Sequence, residues 1–191
     1  TSNTMPAHHK ISTILSFNLF INRSLSLASR IAAVSRVTAD ELRRGFGIAK
    51  EKIEIVPNGV SDFFSPGSGT DDLPAGIHPG TYVLYAGTIE PRKGVDTLIS
   101  AWETLPAPRP PLVLAGDPGW KNAALVRRLE PHVAEGAVMM AGFVSAATLR
   151  ALYRHCLLFV FPSRYEGFGL PPLEAKACGA AGVARRGGGV P

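Results

Sequence analysis

From Tyr82 to Phe161 the chain alternates short, uniformly apolar runs with helix-like stripes, and this alternation restricts its architecture more than any other feature. The runs Tyr82–Ala86, Leu112–Ala115, Val138–Ala141 and Leu157–Phe161 lack polar alternation, as strands buried on both faces do. Between them lie three sets of apolar residues at helical spacing: Val95, Leu98, Ile99, Trp102 and Leu105; Leu125, Val126, Leu129 and Val133; and Leu149, Leu152 and Tyr153. Ser145 stands where the last of these helices needs an N-cap. The predicted class is α/β, a parallel sheet with helices on both faces. Ligands of such sheets bind outside the carboxyl ends of the strands, so the loops at Gly87, Gly116, Gly142 and Glu166 are expected to gather on one rim.

The first third of the chain is organised less regularly. Leu15, Leu19 (or Phe20), Ile21 and Leu25 predict an amphipathic helix within Ile11–Ser29, and Arg30–Val34 is a short apolar run ending at Ser35. A second helix is expected over Val37–Arg44, with Asp40 and Glu41 in its early turns and Gly45 and Gly47 stopping it. Ile53, Ile55 and Val56 read as a further strand, closed by the turn Pro57-Asn58-Gly59. The stretch from Ser65 to Asp72 has linker composition. It places a domain boundary between residues 1–64 and 65–191.

Composition narrows the function classes. A chain of 191 residues with 46% hydrophobic and 18% charged residues is of the soluble globular type. The formal charge of +5 is a modest bias towards anionic partners, and no run of five or six basic residues marks a nucleic-acid arm. Cys156 and Cys178 have neither CxxC nor metal-ligand spacing and read as buried thiols of a reducing compartment. The apolar segment Ile11–Ile21 is too short and too interrupted to span a bilayer, and Lys10 alone makes a poor signal-peptide start. With Thr1 at the start and a Gly-rich turn before Pro191, the chain reads as a piece of a longer one.

Chemistry is concentrated between Phe161 and Gly179, where an apolar strand turns through a Gly-rich loop into a proline-started helix. Gly167 and Gly169 let backbone N–H groups approach a ligand, and Pro171 or Pro172 suits a first helical turn. The remaining free N–H groups and the helix dipole favour an anion there, and a diphosphate fits. Glu174 is expected in that first turn. It has two readings: a charge paired with the helix dipole, or a carboxylate accepting hydrogen bonds from vicinal hydroxyls. Glu166 is either a solvated carboxylate or a contact for a sugar hydroxyl or developing positive charge. Arg92 and Lys93, beyond Gly87-Thr88, are cations suited to a leaving diphosphate. Trp120-Lys121 is a further candidate for the rim.

Other chemistries lack their patterns. His8, His9, His78, His132 and His155 show no metal spacing, and no Ser/His/Asp arrangement is assignable. Gly87-Thr-Ile-Glu-Pro-Arg-Lys-Gly94 matches neither GxGxxG nor a P-loop, which removes support for hydride transfer and kinase-type chemistry.

Glu166-Gly-Phe-Gly-Leu-Pro-Pro-Leu-Glu174, two glutamates with seven residues between them, resembles the signature of the retaining glycosyltransferases of family 4, which have the GT-B fold. The resemblance runs in order through Val34-Ser35, Val56-Pro-Asn-Gly-Val60, Tyr85–Gly94, Leu114-Ala-Gly116, Gly142-Phe-Val144 and Phe161-Pro-Ser163. It implies two Rossmann-like domains across a cleft, the acceptor mostly on the first and the nucleotide-sugar donor on the second. Residues 1–64 then correspond to the end of the acceptor domain and 65–191 to the donor domain. By this resemblance Lys93 and Arg92 bind the donor diphosphate, and Glu166 meets the transferred sugar. Gly167, Phe168, Gly169 and Leu170 lie against sugar and phosphate, Glu174 holds the ribose, and Val144 meets the base. Gly87 and Thr88 form the loop of the donor site, with Thr88 standing where many members carry Arg. Ala181-Gly-Val-Ala-Arg185 also departs from the family's usual Pro-Val-Val-Ala-Ser, which predicts a weak strand.

The implied reaction is metal-independent hexose transfer with retention, from GDP-mannose or a UDP-hexose to a saccharide or lipid-linked acceptor. The setting is the cytoplasmic face of a membrane, with peripheral association and no nucleic acid. The Thr-Ile-Glu-Pro-Arg-Lys version of the loop resembles mannosyltransferases of surface polysaccharide assembly. The 191 residues alone are expected to be inactive, because groups from both sides of the cleft are required. The competing readings are a non-catalytic nucleotide-sugar-binding module and a basic module for RNA or anionic lipid, the latter with steeply salt-dependent binding.

Overall fold

The computed structural model describes residues 20–69, 72–120 and 122–190. His8, His9, Lys10, Lys121 and residues 11–19 of the predicted first helix lie outside them; residues 20–27 are helical (α1). The chain divides into two compact units. One comprises the residues up to Gly59 with Tyr165–Gly169 and the tail from Arg186; the other comprises Val60–Arg164 and Leu170–Arg185.

In the first unit, β1 (Ile31–Ala33) and β2 (Ile53–Ile55) pair in parallel, Ile31 opposite Ile53. The Val56 N–H extends the ladder to the Ala33 carbonyl at 2.8 Å. Between the strands runs α2 (Arg36–Phe46), capped by Ser35, whose Oγ accepts from the Thr38 N–H at 3.1 Å. The helix ends at Gly47, which takes the left-handed conformation at φ 64°. Gly45, expected to help stop it, lies inside the helix, because the closing carbonyls need their left-handed partner only at Gly47. Leu25, Ala33 and Ala39 are buried here.

The second unit is a five-stranded parallel sheet in the order β5-β4-β3-β6-β7. Its strands are β3 (Val83–Ala86), β4 (Leu112–Ala115), β5 (Val138–Gly142), β6 (Leu158–Phe161) and β7 (Gly182–Ala184). The crossover helices are α3 (Val95–Glu103), α4 (Ala123–Ala134), α5 (Ala146–His155) and α6 (Leu170–Ala177). The chain enters at β3, moves outward through β4 and β5, and returns to the other side of β3 with β6. This reversal leaves a crevice at the carboxyl ends of β3 and β6, where a doubly wound sheet binds ligands.

Hydrophobic burial holds the unit together. Tyr85, Ile89, Val95, Ile99, Trp102, Leu112, Leu114 and Leu129 form one cluster, with Leu125 packed against it. The Trp102 Nε1–H donates to the Pro110 carbonyl at 2.7 Å, and the Arg109 guanidinium lies 4.8 Å from its ring centroid. Ser145 caps α5 as expected, its Oγ accepting from the Thr148 N–H.

In the second unit, three apolar residues placed in the predicted strands and helical stripes are exposed. Leu105, 41% exposed, follows the end of α3, so helical periodicity no longer applies to it. Val133, also 41% exposed, has rotated past the line of Leu125 and Leu129. His132 takes that line instead: its ring sits edge-on to Trp102 at 5.2 Å, and its Nε2 is 3.1 Å from Glu103 Oε1. Leu157, 51% exposed, precedes β6. Cys178 is buried, but Cys156, at the end of α5, is only half-buried; burial pushes its thiol up to about 11. All three residues of β7 are exposed, so this strand contributes little burial.

Candidate donor site

The rim of the five-stranded sheet is built from three glycine turns interlocked through their backbones. Gly87, at φ 142°, donates its N–H to the Ala115 carbonyl at 2.8 Å. Gly116, at φ 146°, donates to the Gly142 carbonyl at 2.7 Å, and a β-carbon at Gly116 would stand 2.1 Å from the Gly87 carbonyl oxygen. Only glycine combines this conformation with so close an approach. Asp117 adds a side-chain tie, its Oδ1 accepting from the Phe143 N–H at 3.0 Å.

These turns enclose one side of a cavity of about 250 Å³. Among its lining residues are Gly87, Thr88, Asp117, Val144, Tyr153 and Glu174. Four of the sequence candidates, Gly87, Thr88, Val144 and Glu174, from two separate strand ends and a helix, therefore meet in one space. Phe143 also lines it and is 85% exposed, an apolar ring left to solvent at the mouth.

Glu174 reaches the cavity because α6 starts at Leu170, which places Glu174 fifth in the helix and beyond the first turn. Of the two readings of Glu174, the pairing with the N-terminal dipole is thereby disfavoured. The Glu174 Oε2 instead accepts a hydrogen bond from the Tyr153 hydroxyl at 3.2 Å. Burial raises the Glu174 carboxyl above its ordinary value, and the Tyr153 bond draws it part of the way back. Burial, then the nearby carboxylate, push the Tyr153 phenol far up, so it remains a protonated donor.

Arg92 and Lys93 lie on a single 3₁₀ turn, Pro91–Lys93, and neither is among the cavity's lining residues. Gly94 closes the turn at φ 69°, where a β-carbon would meet the Pro162 carbonyl oxygen at 2.3 Å. Arg92 Nη2 is 2.7 Å from Glu90 Oε1, and Glu90 Oε2 accepts from the Trp120 indole at 2.9 Å. Trp120 thus orients Glu90. Lys93 Nζ stands 5.7 Å from the Phe161 ring centroid, at the carboxyl end of β6. Arg164 ties the strand ends of β3 and β6 together, donating to the Pro91 carbonyl at 2.8 Å and to Asp96 Oδ2 at 2.5 Å.

Glu166, Gly167, Phe168 and Gly169 belong to the first unit. The rim expected from the sequence therefore holds for the Gly87, Gly116 and Gly142 turns of the second unit. Within the first unit the Glu166 loop is clamped by the tail: the Gly189 N–H donates to the Glu166 carbonyl at 2.6 Å. A β-carbon on Gly188 would meet that oxygen at 2.2 Å, and one on Gly189 would meet the Gly167 carbonyl oxygen at 2.1 Å. From α2, the Thr38 hydroxyl donates to the Gly167 carbonyl at 3.3 Å. Tyr165 is directed at Glu41; burial, then that carboxylate, raise its phenol.

Sequence reasoning did not single out Tyr153, Asp117, Glu90, Thr38, Gly188 or Gly189. Gly187–Gly189 left a visible signal, three consecutive glycines. The others look like ordinary helix or loop residues until the fold brings their partners near. Among the described residues no group of three or more His, Cys, Asp or Glu is placed to hold a metal ion, and no helix is long and apolar enough to cross a membrane.

The five-stranded parallel sheet, with helices on both faces and a cavity at its carboxyl rim, is the Rossmann-like architecture of GT-B glycosyltransferases. The chain belongs to the family Glycosyl transferases group 1, whose description matches residues 76–191, and residues 5–62 match Glycosyltransferase Family 4. It is 34% identical over 183 residues to the O-antigen chain mannosyltransferase B of Escherichia coli, covering 92% of this chain and 48% of that relative. The Anabaena protein HepE, solved in complex with UDP and glucose, superposes with a TM-score of 0.79 at 24% identity, over 96% of this chain and 51% of HepE. The sucrose-phosphate synthase of Thermosynechococcus elongatus superposes with a TM-score of 0.71 at 30% identity, covering 95% and 46%. The chain spans about half the length of these proteins or slightly less.

Proposed function

We propose that the second unit binds the nucleoside diphosphate of an activated sugar, and that the whole protein transfers a hexose from it, with retention, to a saccharide or lipid-linked acceptor. The observation that carries this reading is the cavity at the carboxyl rim, where Gly87, Thr88, Val144 and Glu174 meet. GDP-mannose is the first donor to test, because the mannosyltransferase relative matches nearly the whole chain; a UDP-hexose is the second.

Each group has a role set by its chemistry. The half-buried Glu174 carboxylate accepts hydrogen bonds from the vicinal hydroxyls of the ribose, and backbone near Val144 meets the base. Lys93 neutralises the diphosphate as it leaves, an electrostatic contribution that grows as the glycosidic bond breaks. Arg92, held by Glu90, contributes less directly. The loop Gly87-Thr88 and the backbone of Gly167, Phe168, Gly169 and Leu170 accommodate phosphate and sugar, the glycines leaving room for close approach. Glu166 meets the transferred sugar, where a carboxylate also favours developing positive charge. In the whole protein, residues 1–64 end the acceptor domain and 65–191 form the donor domain. The reaction takes place on the cytoplasmic side, with peripheral attachment to the inner face of the plasma membrane.

Calorimetric titration of the chain with GDP, UDP, GDP-mannose and UDP-glucose tests the reading. Micromolar to millimolar binding of one nucleotide series, weakened at least tenfold by Glu174→Ala, is expected. No binding by any of the four, or indifference to that substitution, overturns it.

A further inference from the structure

We infer that Tyr153 is a positioning residue for nucleotide binding: its hydroxyl holds one oxygen of Glu174 so that the carboxylate presents its other oxygen to the hydroxyls of a ribose. The inference rests on the nucleotide reading of the cavity and names a determinant which that reading does not contain.

Tyr153 is fully buried on α5, and its ring is fixed edge-on between Phe64, at 6.0 Å, and Phe159, at 5.3 Å. A ring packed this way cannot swing with its ligand. Its hydroxyl reaches Glu174 Oε2 at 3.2 Å, and both residues line the cavity. Tyr153 is the side-chain hydrogen-bond partner of Glu174 among the described residues, so one oxygen is tethered and the other is left available to a ligand's donors. A glutamate side chain otherwise has three rotatable torsions to order on binding, and fixing them beforehand increases affinity without a new ligand contact. The phenol is an obligate donor at physiological pH, whereas a ribose hydroxyl can donate or accept. Tyr153 therefore selects the carboxylate's acceptor role and favours a diol that donates. The consequence is specificity for the ribose, separate from affinity for the base or diphosphate.

The test compares GDP and UDP with their 2′,3′-dideoxy analogues on the full chain and on Tyr153→Phe, a change that keeps the ring and removes one oxygen. The wild type is expected to prefer the ribonucleotide by about tenfold or more. Tyr153→Phe should cut that preference roughly three- to tenfold while leaving dideoxynucleotide affinity within about twofold. A role confined to stability would weaken both nucleotides equally, and that result overturns the inference, as does an unchanged preference. Failure of the wild type to bind GDP or UDP would instead remove the nucleotide reading itself. A second measurement does not depend on Tyr153→Phe. With the protein labelled at tyrosine Cζ, the signal that responds to Glu174→Gln should keep the shift of a hydrogen-bond donor when GDP is added. Its movement to the shift of a non-donating phenol overturns the proposal.

Discussion

A β-carbon on Gly116 would lie 2.1 Å from the carbonyl oxygen of Gly87, closer than any non-bonded carbon and oxygen can approach. The ends of β3 and β4 are thus in close contact, and the Gly87 N–H bond to the Ala115 carbonyl at 2.8 Å ties the turn that lines the cavity. Gly116→Ala adds this clash to an unfavourable φ of 146° and should destabilise the protein by about 2–4 kcal/mol. Chemical denaturation checks it, and a variant within 0.5 kcal/mol of wild type (roughly the range of neutral surface changes) would show that the turns are not locked.

Lys93 and Arg92 are adjacent in sequence but differently held, which separates their predicted effects. Arg92 is ion-paired with Glu90 at 2.7 Å, while Lys93 lies over the edge of β6 beside Phe161. Lys93→Ala should weaken nucleoside diphosphate binding about 10- to 100-fold and flatten its salt dependence. Arg92→Ala should cost less affinity and more stability, because it leaves Glu90 without its cation. Equal affinity losses in a titration of both variants would reject this division.

Glu174 links the cavity to pH. Burial raises its folded carboxyl above the ordinary value, so the folded state binds this proton more tightly than the unfolded state. Its contribution to stability is complete below the unfolded value, about pH 4, and is lost as pH rises through the higher folded value. Glu174→Gln, which cannot ionise, should therefore melt higher than wild type at pH 7, with the difference vanishing near about pH 4. The same variant should bind ribonucleotide less well. A lower melting temperature at pH 7 would contradict the assigned cost of burial.

Gly188 sits at φ 62°, where a β-carbon would meet the Glu166 carbonyl oxygen at 2.2 Å and its nitrogen at 2.7 Å. Gly188→Ala should displace the Glu166 backbone, with a cost of about 2–3 kcal/mol to the contacts of the first unit. Amide signals of Glu166 and Gly167 should shift while those of the Gly87 and Gly116 turns remain in place. In donor titrations the variant should lose the part of the affinity due to the sugar and keep the part due to the nucleotide. Loss of both together would show that the Glu166 loop and the nucleotide cavity do not act separately.

Strand and helix identities in the second unit were readable from residue pattern because each element buries a contiguous apolar set, and burial is periodic in sequence. The exceptions arise where a helix ends or where a distant partner intervenes. Leu105 and Val133 are apolar but lie beyond or beside the buried stripe, and His132 turns inward because Trp102 and Glu103 offer it a ring face and a carboxylate. Such partners lie about 30 residues away and have no local signature.

Residue type and spacing alone determined the α/β class, the glycine turns and the pair of glutamates with seven residues between them, since backbone conformation and charge are local properties. Tertiary structure decided what those residues do to one another. It moved Glu174 out of the first helical turn and onto the Tyr153 hydroxyl, engaged Arg92 with Glu90, and closed the glycine tail over the Glu166 loop. Hydrogen bonds and steric exclusion act over about 3 Å between atoms whose separation along the chain carries no information about their meeting.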